Sequence, residues 1–252
     1  MSLLADPVTL AVVALAVVLL GLAKGGLSGV GALATPLVAL VLPPTIAAAL
    51  LLPILIVQDV VSVWSFRKTW DGWVVAWMLP GAAVGIAAGY FYAEQVDEAK
   101  LMAALGAITL AFGVYRLWVE RGGRIVAAST SPGWIGTLFG ALTGFTSQIA
   151  HAGGPPFQMW VTPRRLPHLV FVGTSSILFA MINWMKVPAY LALGAFPHEV
   201  IVAALLLMPL AIGSTLLTVR LLKRMDGARF YVVIYILMVL LGAKLLWDGL
   251  AG

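Results

Sequence analysis

Residues 21–36 read GLAKGGLSGVGALATP, and residues 140–155 read GALTGFTSQIAHAGGP. The second stretch is a copy of the first: Gly21, Gly25, Ser28, Pro36 and Pro44 return at Gly140, Gly144, Ser147, Pro155 and Pro163, each 119 positions on. Pro80, Asp97, Ala99, Lys100, Gly113 and Trp118 return at Pro209, Asp226, Ala228, Arg229, Gly242 and Trp247, each 129 positions on. Two ungapped blocks separated by a ten-residue insertion mark a duplicated chain, 1–125 and 126–252, within one membrane domain. Each copy of the opening stretch joins a short apolar segment to another through glycines and ends on proline. Such pieces read as broken or re-entrant helices.

The surrounding composition makes these membrane helices. The chain has 252 residues, 62% hydrophobic and 10% charged, with mean hydropathy +1.05. Several segments reach the ~20 apolar residues that cross a bilayer. An all-α polytopic membrane protein follows. With no cysteine, disulfides and thiolate metal sites are excluded; neither a cofactor nor a metal is expected. The net charge of +5 sits at segment ends, which speaks for topology and against nucleic-acid binding. Residues 1–6 lack the positive region of a cleaved signal.

Loop charge suggests that the halves are inverted. Residues 94–98 carry Glu94, Asp97 and Glu98, whereas their repeat partners at 220–229 carry Arg220, Lys223, Arg224 and Arg229. Positive loops face the cytoplasm, so equivalent loops lie on opposite faces. That requires an odd number of crossings per half. We expect spans at 46–66, 73–93, 99–118, 168–193, 199–221 and 229–249, with re-entrant hairpins at 7–42 and 133–162 and both termini outside. The scheme places 11 of the 15 basic residues inside, among them Arg67, Lys68, Arg116, Arg121, Arg124, Arg164 and Arg165. A bacterial inner membrane is the expected location. Trp70, Trp118, Trp134 and Trp247, near span ends, read as interfacial anchors.

Irregular backbone at membrane depth must face protein or a water-filled cavity. The turns at 25–31 and 152–154 therefore predict a polar cavity, and a helix that restarts there turns free N–H groups toward it, which suits an anion. Gly21–Gly25 and Gly140–Gly144 also fit close helix packing, whereas Gly153-Gly154-Pro155-Pro156 demands a true break. Candidate substrate-binding residues are Lys24, Gly25, Gly26, Ser28, Gly31, Ser147, Gln148, His151, Gly153, Gly154, Thr174 and Ser175. Lys24 is a countercharge for an anion or a snorkelling lysine. Asp59, mid-span beside Gln58 and Ser62, is an ion-pair partner, with Lys24 the candidate cation, or a proton carrier. His151 is a donor to an anion, a proton carrier or a satisfied buried histidine. Thr174, Ser175, Ser176 and Asn183 form a polar patch. Lys186 and Lys244 are expected to snorkel.

A second chemistry is written here as well. Gly26-Leu27-Ser28-Gly29 and Ala150-His151-Ala152-Gly153-Gly154 fit the GxSG and AHxxG patterns of rhomboid intramembrane serine proteases, with Ser28 as nucleophile and His151 as base. Their place inside two copies of one repeat favours a transporter instead. There is no Walker motif, so ATP is not the direct driver.

Across nearly its whole length the chain resembles the sulfite exporter TauE/SafE family, also called the toluene-sulfonate uptake permease family. The resemblance rests on the Gly21–Pro36 block, its copy GFTSQIAHAGGPP (144–156), RRLPHLVFVGT (164–174), NWMKVPAYLALG (183–194) and GAKLLWDG (242–249). Where the family is richer in glycine, this chain reads Gly29-Val30-Gly31-Ala32-Leu33. The resemblance implies a secondary transporter, not an enzyme, for small anions such as sulfite, organosulfonates or related sulfur oxyanions. Lipid, the anion and coupling protons are then its partners, and a channel-like anion facilitator is the alternative.

Overall fold

The structure, a computed structural model, describes residues 3–24, 30–122, 131–221 and 228–251. Gly25, Gly26 and Ser28, the boundary expected at 125/126, and Arg124, Lys223 and Arg224 lie outside them. The described chain is all helical: α1 (Pro7–Lys24), a 3-10 turn (Val30–Leu33), α2 (Ala34–Val38), α3 (Pro44–Phe66), α4 (Gly72–Gln95), α5 (Glu98–Glu120), α6 (Gly133–Ala150), α7 (Gly154–Val161), a 3-10 turn (Thr162–Arg164), α8 (His168–Ala192), α9 (His198–Leu221) and α10 (Ala228–Ala251). Among these, α1, α3, α4, α5, α8 and α9 are long and apolar enough to cross a membrane. The expected long spans match α3, α4, α5, α8, α9 and α10 to within about three residues at each end.

Local chemistry sets these ends. The Asp71 carboxylate accepts from the Trp73 and Val74 amides at 2.9 and 3.1 Å and starts α4. Asp97 starts α5 through the Lys100 amide at 2.8 Å. Asp6 starts α1 by accepting from the Thr9 amide and hydroxyl, both at 2.8 Å, bonds that hold its carboxyl below the usual range. Each cap satisfies amides that a helix start leaves without partners. Prolines begin α3 and precede α8. Pro80 and its repeat partner Pro209 both lie within helices.

The seams between halves are built on glycine. A Cβ on Gly81, Gly85, Gly140 or Gly144 would stand 1.8–2.1 Å from a backbone carbonyl oxygen of the facing helix, α6 or α4. Between α5 and α10, a Cβ on Gly106, Gly242 or Gly249 would stand 2.3–2.4 Å from a facing backbone nitrogen and one on Gly113 would stand 2.8 Å from the Val239 side chain, and Gly21 meets Ser214 of α9. Lipid supplies no hydrophobic force between helices, so close backbone approach does the holding. The packing reading of Gly21, Gly140 and Gly144 is thus the one observed. α1 packs on α9 as α6 packs on α4, and α3 packs on α9 as α8 packs on α4.

Several contacts tie segment ends together. The Arg164 guanidinium, after α7, donates to the Ser131 carbonyl, before α6, at 2.7 Å. The arm 133–164 thus opens and closes at one end of the bundle. Thr69 meets Gly173 there, and Arg164 lies over Trp73 and Trp160. Thr45, at the start of α3, donates to Glu98, at the start of α5. Trp70, Trp118, Trp134 and Trp247 are all 43–74% exposed, as anchors at a membrane surface should be.

Candidate functional site

The second break is a sharp one. His151 ends α6 in the left-handed region, φ 50° and ψ 26°, a conformation uncommon outside glycine. Its amide closes on the Ser147 carbonyl at 3.1 Å and that of Ala152 on Thr146 at 3.2 Å. The turn carries the imidazole between α3 and α8. Nε2 lies 2.9 Å from the Ala48 carbonyl and Nδ1 lies 2.7 Å from Lys186 Nζ. A carbonyl only accepts, so Nε2 carries the proton and Nδ1 accepts from Lys186 Nζ. Neither nitrogen keeps a lone pair for a serine, which removes the base that a Ser28–His151 protease needs.

Beside this turn lies a cavity of about 90 Å³, with room for a few waters or one small ion. Lys24, Gly31 and Ala32 reach it from the first hairpin, Ser147, His151, Gly154 and Gln158 from the second, and Ser175, Ser176 and Asn183 from α8. It sits beside the second of the two breaks read from the sequence, and Lys24 and Gly31, either side of the first, reach it as well.

Buried charge surrounds it. Lys24 pairs with Asp59, which is 1% exposed. Asn183 Nδ2 donates to the other Asp59 oxygen at 2.6 Å. Asp59 and Asn183 are each the sixteenth residue of their helices, α3 and α8. Gln58 donates to the Val17 carbonyl at 3.1 Å, tying α3 to α1. The ion pair expected for Asp59 is therefore present, and its partner is Lys24.

Lys186 corrects the sequence reading. It does not snorkel; its side chain is completely buried. It donates to the Ser147 carbonyl and hydroxyl, both at 3.2 Å, and to His151. All three acceptors are neutral. The signal was available in the sequence: Ser176, Phe179, Asn183, Lys186 and Tyr190 step by three and four residues and share one helix face. Read around the helix, the lysine points inward. Lys244, by contrast, is exposed and pairs with Asp248.

The remaining candidates divide. Lys24, Gly31, Ser147, His151, Gly154 and Ser175 line the cavity. Asp59 stands behind Lys24. Gln148 faces α4, where a Cβ on Gly89 would stand 2.9 Å from its side chain. Gly153 lies under the Thr143 carbonyl and Phe179. Thr174 is fully buried away from the cavity; it donates to the Val170 carbonyl at 2.6 Å and accepts from the Asp71 amide at 2.8 Å, pinning the α3–α4 turn to α8. Gln158 was missed by the sequence reading. The expected row of free amides is also thinner than the break implied: Pro155 and Pro156 occupy the first turn of α7 and have no N–H to offer. Side chains must supply most donors at this break. No group of three or more metal-ligating side chains gathers among the described residues.

A bundle of helices long and apolar enough to cross a membrane, around a small cavity lined by one lysine and several neutral polar side chains, defines a multi-pass membrane protein with an enclosed site. Residues 13–245 match the family model described as Sulfite exporter TauE/SafE. The chain belongs to that family, which is one of membrane transporters and not of enzymes. No curated protein and no solved structure matches it.

Proposed function

We propose that the chain is a secondary transporter for sulfite, organosulfonates or related sulfur oxyanions, with the cavity between the two hairpins as its substrate site. The observation that carries this is a charge imbalance. Two lysines, Lys24 at the cavity wall and the completely buried Lys186 behind it, stand against a single buried carboxylate, Asp59. A buried cation without a charged partner is costly; a bound anion supplies that partner. Lys24 and Ser147 are the proposed contacts; His151 and Ser175, whose N–H and O–H are given to the Ala48 and Val172 carbonyls, shape the wall beside them.

Transport is by alternating access, one half rocking against the other across the glycine seams. Three observations support an inverted arrangement: the matched packing partners of α1 and α6, the meeting of Asp59 with Asn183 at equal helix positions, and the closure of the arm 133–164 at one end of the bundle. Proton coupling is proposed at Asp59 or His151. A proton taken up at Asp59 as the anion claims Lys24 would leave the charge of the loaded site unchanged. The bacterial inner membrane is the proposed location.

Purified protein titrated with sulfite, thiosulfate, sulfoacetate, taurine and acetate should melt at a higher temperature with at least one sulfur oxyanion. An equal absence of shift with every anion contradicts the reading. Coupling through Asp59 or His151 is lost as an idea if Asp59→Asn and His151→Gln both keep pH-dependent uptake in proteoliposomes.

A further inference from the structure

We infer that Gln158 is a substrate-contacting donor of this site, and that Arg116 of α5 fixes which end of its amide faces the anion. The inference rests on the reading of the cavity as an oxyanion site and names a contact within it.

Gln158 lies on α7 and is 4% exposed. Its side chain lines the cavity. Arg116 Nη1 donates to Gln158 Oε1 at 2.9 Å, and Arg116 Nη2 donates to the Tyr235 hydroxyl at 2.7 Å. A guanidinium has only donors, so the amide cannot turn round: its oxygen must face Arg116 and its NH₂ must face away. That NH₂ is buried and has no hydrogen-bond partner. Its neighbour on the cavity wall is Gly154, where even an added Cβ would remain 3.9 Å from Nε2.

A buried donor without an acceptor costs stability unless something fills its place. Here the filler must bring an acceptor to the cavity, and sulfite or sulfonate oxygens are acceptors only. Arg116 also polarises the amide from behind, strengthening it as a donor. Ser147 repeats the arrangement across the cavity. Its oxygen accepts from Lys186, which leaves its O–H to donate forward. In both cases a cation stands behind a neutral donor, so the anion meets hydrogen bonds at these two points without pairing directly with the charge. A carrier that must release its cargo gains from that distance.

Sulfite binding to the purified full chain tests this by calorimetric titration, with melting temperature measured beside it. Gln158→Glu replaces the donor with an acceptor yet gives Arg116 a carboxylate partner. The fold should hold, with an unchanged or higher melting temperature without sulfite, and sulfite affinity should fall about tenfold or more. Gln158→Met, which removes the donor at similar volume, should also weaken binding and serves if the first variant fails to fold. Arg116→Lys keeps a donor-only partner and should bind within about threefold of wild type, whereas Arg116→Gln lets the amide flip and should bind about tenfold more weakly. Wild-type affinity in both Gln158 variants overturns the Gln158 contact alone. Equal affinities in the two Arg116 variants overturn the orienting role. If wild-type protein binds none of sulfite, thiosulfate and sulfoacetate, the oxyanion site falls and this inference with it.

Discussion

The two hairpins hold matching places and contribute different chemistry. The first brings a charge, Lys24, to the cavity. The second brings His151, Ser147 and Gln158, with their cations set behind them on other helices. The repeat makes the difference explicit: Lys24 corresponds to Thr143, and His151 to Ala32. Thr143 spends its hydroxyl on the Phe139 carbonyl of its own helix, 2.7 Å away, while Ala32 offers the cavity only a methyl group. On the proposed duplication, the repeat supplies the frame and substitution at its unmatched positions supplies the polarity. A pseudo-symmetric frame suits alternating access, and an asymmetric lining suits recognition of one solute at a time.

The two buried lysines sharpen the contrast most strongly. Lys24→Met leaves Asp59 buried without its charge partner, and the loss in stability should be roughly 3–5 kcal/mol. Adding Asp59→Asn should restore most of the melting temperature by removing the stranded charge, while anion binding stays lost. If the double variant binds sulfite like wild type, Lys24 is a structural cation and not a substrate contact. Lys186→Met strands no carboxylate, so the fold should be as stable as wild type or more so, with sulfite affinity about tenfold weaker. A large drop in melting temperature for Lys186→Met would put the two lysines in one class and break the comparison.

Two glycines within the second hairpin differ in a testable way. Gly140 is a seam residue, and Gly140→Ala drives a Cβ to 2.1 Å from the Met78 carbonyl oxygen. About 1–3 kcal/mol of stability should be lost. Gly154→Ala meets nothing closer than 3.9 Å, so its melting temperature should move little. Equal effects at the two positions would mean that both glycines serve packing.

The smallest expected effect lies outside the site. Asp97 is exposed, and the hydrogen bonds it accepts from the Lys100 side chain and amide hold its carboxyl below the ordinary 3.8. A carboxyl lowered on folding contributes stability above its unfolded value and loses it as pH falls through the folded one. Asp97→Ala should therefore lower the melting temperature slightly at pH 7 and make no difference in strong acid, as a pH series of melts would show. Asp97→Asn should keep much of the cap.

The long spans were legible because apolar runs, charged loops and prolines are local signals. The break at Gly153-Gly154-Pro155-Pro156 was legible for the same reason, since two prolines cannot continue a helix interior. Lys186 was misjudged because position along a span says nothing about direction around it. Thr174 was taken for a cavity residue because polar neighbours in sequence point to different sides of a helix; Ser175, one residue on, does line the cavity. Gln158 left no trace, because its meaning comes from Arg116, 42 residues away on another helix. Pairings of that kind belong to tertiary structure, and only the folded chain displays them.

Counterflow in proteoliposomes tests the central claim most directly. Vesicles carrying the purified protein are loaded with unlabelled sulfite and diluted into trace labelled sulfite. A carrier that alternates access around this cavity should concentrate the label transiently above its outside level, and Lys24→Met/Asp59→Asn vesicles should not. Label that only equilibrates, at a rate indifferent to sulfite on the far side, or no sulfite entry at all, would contradict the account.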